Sequence, residues 1–93
     1  MKVLFNDTVL ADSNDTIVVE GNHYFPPASI NKDVFTDSSS STVCAWKGTA
    51  SYYNVNVDGN VSKDVAWYYP EPSAKAENIR GYVAFYKNKV TFA

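Results

Sequence analysis

Ser51-Tyr52-Tyr53-Asn54-Val55-Asn56-Val57-Asp58-Gly59-Asn60-Val61 is the stretch whose reading decides the fold. Tyr53, Val55 and Val57 recur at every second position, with Asn54 and Asn56 between them, which is the period of a strand with one apolar face. Asp58-Gly59 is the dipeptide that supplies positive φ for a type I′ hairpin turn. The return strand runs from Val61 through Tyr69. It places Val65, Trp67 and Tyr69 on one face and Ala66 and Tyr68 on the other.

Towards the C-terminus, Pro70-Glu71-Pro72 ends this strand. Ser73 to Arg80 reads as the one helix, short, with Ser73 as N-cap and Gly81 as the stop. Tyr82 to Tyr86 and Val90 to Phe92 read as a closing hairpin around Lys87-Asn88-Lys89. Towards the N-terminus, Val3-Leu4-Phe5 and Val9-Leu10-Ala11 flank a tight turn at Asn6-Asp7. Thr16 to Glu20 is a further strand, broken by Gly21-Asn22, and His23-Tyr24-Phe25 is a short one. Pro26-Pro27 cannot sit in a central ladder, so the chain leaves the sheet there or follows an edge. Ala28 to Thr42 is less regular, and Ser38 to Ser41 reads as a solvated loop. The expected class is mostly β, with short strands separated by turn residues.

The 93 residues make one domain, 1–93, whose core is adequate in size but not generous. Aromatic residues, 15% of the chain, supply the largest burial per residue and allow that core to form without metal or disulfide. The net charge is −2, and the eight Lys and Arg are scattered, which argues against nucleic acid as a partner. No basic amphipathic helix or long apolar run points to a membrane. Cys44 is the single cysteine, which excludes an internal disulfide and a zinc site built on paired thiolates. The first residues turn polar after three apolar positions, too soon for a signal peptide, so a reducing, cytoplasmic compartment is expected. The Asn-x-Ser/Thr triplets at Asn6, Asn14 and Asn60 are then chance matches in turn-rich sequence.

Chemistry concentrates at Cys44-Ala45-Trp46-Lys47-Gly48. A lysine ammonium beside a thiol favours the thiolate. In an extended strand residues three apart point to opposite faces, so Cys44 and Lys47 meet only in a turn ending at Gly48. The bland alternative is a buried small hydrophobe beside a solvated lysine. Gly48 allows a backbone or a ligand to approach closely. His23 is the only histidine and lacks metal-ligating company. Glu20 is either strand-end decoration or a carboxylate facing a cavity. The residues selected as a ligand pocket are Glu20, Trp46, Lys47, Tyr52 and Trp67, with Cys44 and Lys47 as catalytic candidates. No metal site, cofactor or phosphate-loop motif is expected.

Several stretches together resemble the family called domain of unknown function 427. They are Ala11-Asp12-Ser13, His23-Tyr24-Phe25-Pro26, Thr42 through Tyr52, Ala66 through Pro72, and Gly81 through Tyr86, in family order across nearly the whole chain. The family commonly has proline after the cysteine, where this chain has Ala45. The resemblance implies a β-tent-like fold, in which two antiparallel sheets are pinned along one side and splay over a pocket. β-Tent relatives often hold zinc with two Cys-x-x-Cys pairs, and this chain has one cysteine, so neither their zinc nor their chemistry carries over. A nucleotidyltransferase label attached to the family finds no paired carboxylates or phosphate loop here. The resulting expectation is a domain binding a small, anionic or carbonyl-bearing molecule in an aromatic pocket. A small enzyme using Cys44 or Lys47, and an interaction module presenting a sheet edge, are the alternatives.

Overall fold

Three tight hairpins punctuate the chain, and each turn has both central residues at positive φ. The turns are Asn6-Asp7 (48° and 61°), Glu20-Gly21 (54° and 79°) and Asp58-Gly59 (51° and 84°). That pairing defines type I′ geometry, whose twist matches the flanking strands. The structure, a computed structural model, describes residues 1–93. The first hairpin joins β1 (Lys2–Phe5) to β2 (Thr8–Asp12), and the second joins β3 (Ile17–Val19) to β4 (Asn22–Tyr24). The third joins β6 (Gly48–Val57) to β7 (Asn60–Tyr68), as the alternating sequence requires. β5 (Phe35–Cys44) precedes them, and β8 (Val83–Phe85) and β9 (Thr91–Phe92) follow.

The fold is mostly β. A four-stranded antiparallel sheet, β5-β6-β7-β8, lies against a three-stranded sheet, β2-β1-β9. The β3-β4 hairpin forms a third, two-stranded unit where two sheets were expected. One bridge from Phe25 to Val83, with both backbone hydrogen bonds made, joins this hairpin to the β8 edge. Pro26 and Pro27 then end the pairing, and the chain turns through a short 3-10 segment, Pro27–Ser29.

Both faces of the four-stranded sheet are covered. On one face Val55, Val57, Val65, Ala66, Val83 and Phe85 pack with Val3, Leu10, Ala11 and Phe25. Phe25 and Phe85 meet edge to face at 5.8 Å. On the other face Ala50, Tyr52, Tyr69 and Ala84 pack with Tyr24, Ala76 and Ile79. The alternation of β6 therefore sorts as expected, with Tyr53, Val55 and Val57 together. That of β7 does not. Val65 joins Ala66 and Tyr68 in the first cluster, away from Trp67 and Tyr69. The cause is Asp64, which adopts a φ of 54° and starts a bulge that resets the strand's phase.

Three further expectations are corrected. Ser38–Ser41 is not a loop but part of β5: Ser41 pairs with Ser51 of β6, and Ser38 and Ser40 are anchored by their hydroxyls to Asp64. Tyr82–Tyr86 and Val90–Phe92 do not form a hairpin with each other: β8 pairs with β7, while β9 crosses to pair with β1. The break after β3 falls at Glu20-Gly21, one residue earlier than the glycine-asparagine pair suggests. The short helix after Pro72 is present as a 3-10 helix, Ala74–Ile79, kinked at Ala76. Ser73 sits at its N-cap without capping it, because its hydroxyl donates to the Trp46 carbonyl instead. No helix is long and apolar enough to cross a membrane.

Candidate functional site

Two bulges shape the sheet beside Tyr52. In the β5–β6 ladder, Ser38, Ser39 and Ser40 stand opposite the single residue Tyr52. In the β6–β7 ladder, Lys63, Asp64 and Val65 stand opposite Asn54. Extra residues on one strand bend it and turn its side chains, a device common near functional sites. Here both bulges lean towards each other. Ser38 and Ser40 donate their hydroxyls to the Asp64 carboxylate, and the Asn54 side chain accepts the Asp64 N–H at 2.9 Å. The two serine hydroxyls hold the Asp64 carboxyl below its ordinary range.

The result is an open concavity of about 550 Å³ lined by Ser40, Thr42, Tyr52, Asp64, Tyr86 and Lys89, among others. Its wall is aromatic and its rim is polar. The rings of Tyr52 and Tyr86 are nearly parallel, 8° apart at 6.4 Å. Their hydroxyls approach to 3.5 Å, and Tyr52 shares a 2.8 Å bond with Thr42. The bond to Tyr52, and then burial, push the Tyr86 phenol up to about 12, so that ring stays protonated near neutrality. Lys89 reaches over the Tyr86 ring at 5.6 Å and donates to the Lys63 carbonyl at 2.8 Å.

An aromatic row leads away from this concavity. Trp67 packs against Tyr86 at 4.7 Å and donates its indole N–H to the Tyr24 hydroxyl at 3.1 Å. At the far end stands the β5–β6 turn, Ala45-Trp46-Lys47, closed by the Cys44–Gly48 pair. The Lys47 ammonium lies over the rings of Trp46 (5.4 Å) and Tyr69 (5.5 Å) and donates to the Glu20 carboxylate. Lys47 is only 7% exposed, the one charged residue in the core. Burial alone works hardest against its charge, yet the Glu20 bond and the Tyr24 and Tyr69 hydroxyls outweigh it and raise its pKa. That same bond holds Glu20 low, with the Trp46 indole adding a smaller effect.

Of the five residues chosen as a pocket, Tyr52 lines the concavity. Trp67 stands behind Tyr86, and Glu20, Trp46 and Lys47 gather at the other end of the row. The turn ending at Gly48 is the one that brings Cys44 and Lys47 to the Tyr69 side, but no hydrogen bond joins them. Cys44 is half-buried against the Tyr24–Tyr69 cluster. Gly48 has a φ of 113°, and a Cβ there would meet the Glu71 oxygen at 3.4 Å and the Pro72 Cα at 3.5 Å. The close approach at this glycine is therefore by backbone. His23 bonds Thr16 at 2.9 Å across its own hairpin. Asp64 and Lys89 were not foreseen; the polar Lys63-Asp64 pair interrupting a strand was the one signal for the bulge that creates their site.

A mostly-β domain with this aromatic row is matched over residues 1–93 by the family model described as Domain of unknown function (DUF427). The chain belongs to that family. No curated protein sequence matches it.

Proposed function

We infer that residues 1–93 act as one small-molecule-binding domain whose ligand site is built on the surface-exposed ends of the aromatic row. The observation that carries this reading is the concavity at Tyr52 and Tyr86, large enough for a metabolite and walled by stacked rings with hydroxyls at one edge. Ligand sites are concave and mix apolar walls with a few convergent polar groups. Tyr52 and Trp67 are the aromatic lining in this reading, and Glu20, Trp46 and Lys47 its charged end. Lys89 provides an ammonium at the rim, suited to an anionic or carbonyl-bearing molecule, and Asp64 a fixed carboxylate opposite the apolar wall. The unpaired Cys44 is consistent with a cytoplasmic setting.

A thermal-shift screen of metabolites against wild type and Tyr52→Ala tests this. The expected result is at least one compound that stabilises wild type and loses its effect in the variant. Equal responses of both proteins to every compound would remove the concavity from the function.

A further inference from the structure

The Glu20–Lys47 pair is lopsided, and the asymmetry tells which partner is fixed. Lys47 has 8% of its side-chain surface exposed, whereas Glu20 has 53%. The ammonium is built in: it sits in the β5–β6 turn, lies over two aromatic rings, and cannot reach water without displacing them. The carboxylate is delivered from outside. Glu20 occupies the first central position of the β3–β4 turn at a φ of 54°, where glycine, asparagine or aspartate is the favoured residue. A glutamate held there places a long acidic side chain on a strained tip.

Swinging Glu20 away costs the carboxylate little, because water replaces its bond. The cost falls on Lys47, whose buried charge would be left unpaired. Any carboxylate that took the vacated place would remove that cost. The hairpin tip is tethered lightly elsewhere, by a 2.9 Å bond from the exposed Lys87 to the Gly21 carbonyl.

We propose that Lys47, with the rings of Trp46 and Tyr69, is a binding site for a small carboxylate, and that Glu20 is its built-in competitor. The ammonium pairs with the ligand's carboxylate, the ligand's apolar part lies against the exposed part of the Trp46 ring, and the Glu20 side chain moves into water. This rests on the reading of the row as a binding surface, but it uses the end remote from Tyr52.

Benzoate is the probe, with methyl benzoate as the neutral control, titrated into wild type, Glu20→Gln and Lys47→Met. Binding is followed by amide and lysine Nζ signals in NMR spectra. Glu20→Gln should bind benzoate about tenfold or more tightly than wild type, since an occupied site lowers apparent affinity by the fraction of time it is free. The shifts should centre on Trp46, Lys47 and Tyr69, disappear in Lys47→Met, and be absent with methyl benzoate. Glu20→Gln binding no tighter than wild type would overturn the proposal. So would benzoate binding that survives Lys47→Met, or shifts confined to Tyr52, Tyr86 and Lys89. Those last shifts would leave the concavity reading intact, so the two ideas fail separately.

Discussion

The Trp67 indole donates to the Tyr24 hydroxyl at 3.1 Å while the two rings meet edge to face at 6.3 Å, an 89° crossing. The pair ties β7 of the main sheet to the β3-β4 hairpin, alongside the backbone bridge from Phe25 to Val83 and the Glu20–Lys47 pair. Tyr24 is fully buried, so its hydroxyl needs a partner inside the protein, and Trp67 is that partner.

Tyr24→Phe should therefore destabilise the fold by about 1–2 kcal/mol, because it orphans the Trp67 donor while keeping the ring packing. Urea unfolding with an unchanged slope checks this. A midpoint equal to wild type would mean that water reaches the indole and the tie is dispensable.

The glycines differ in how far their backbones lie from what an L-residue accepts. At Gly59 (φ 84°) an added Cβ meets nothing within 4 Å, so Gly59→Ala pays only for positive φ, about 1–2 kcal/mol. At Gly48 an added Cβ meets the backbone of Glu71, Pro72 and Ser73 at ordinary contact distances of 3.4–3.5 Å, but its φ of 113° lies well beyond the left-handed range that L-residues visit. Gly48→Ala should cost more than Gly59→Ala by denaturant unfolding; the reverse order would show that the backbone at the start of β6 relaxes to a φ that alanine accepts.

Much of this fold is legible in the sequence because its strongest signals are local. Asn6-Asp7 and Asp58-Gly59 announce their turns through φ preference, and Tyr53-Val55-Val57 announces a face through period. What is not legible depends on partners distant in sequence. Ser38–Ser41 has loop composition, and only Asp64 and the β6 ladder hold it extended. Thr91–Phe92 is too short to declare its partner, and pairing with β1 rather than β8 is decided by closure of the first sheet. The site divides in the same way. The turn at Trp46-Lys47-Gly48 stands out by composition, whereas the Glu20 contact to Lys47 spans 27 residues and no pattern encodes it.

Acid should weaken the protein in a defined window. Glu20 and Asp64 have folded pKa values below their ordinary 4.5 and 3.8. A carboxylate depressed by folding lends stability that is present above its unfolded value and lost as pH falls through its folded value. Stability should thus decline from about pH 4.5 downward, and Glu20→Gln and Asp64→Asn should each flatten the decline. Lys47 acts with the opposite sign: its contribution is complete below its ordinary 10.5 and is lost only as pH rises through its higher folded value. Urea midpoints across a pH series distinguish these limbs. Glu77→Gln is the control, since its pair with Arg80 is half-exposed and surface pairs contribute little. A Glu77→Gln effect as large as that of Asp64→Asn would show that net charge, not these contacts, sets the acid limit.

The last prediction concerns the sign of the charge a ligand carries at the concavity. Asp64 and Lys89 both line it, so composition alone does not choose between a cation and an anion. Their surroundings do. The Asp64 carboxylate already accepts from Ser38 and Ser40, one serine on each oxygen, and its N–H is held by Asn54. It is committed to fixing the bulge. Lys89 has three N–H donors, makes one good bond at 2.8 Å and one marginal contact at 3.5 Å to backbone carbonyls, and stays at the rim above Tyr86. An anionic or carbonyl oxygen can join that ammonium without displacing a structural bond, whereas a cation at Asp64 must compete with two serines. Lys89→Met should consequently leave urea stability within about 0.5 kcal/mol of wild type, as for other exposed positions. It should abolish the thermal shift given by ligands found in the metabolite screen. Asp64→Asn should do the reverse, lowering stability through the bulge while leaving part of the ligand response. Ligands that stabilise Lys89→Met as well as wild type would show that the concavity recognises something other than an anionic or carbonyl group.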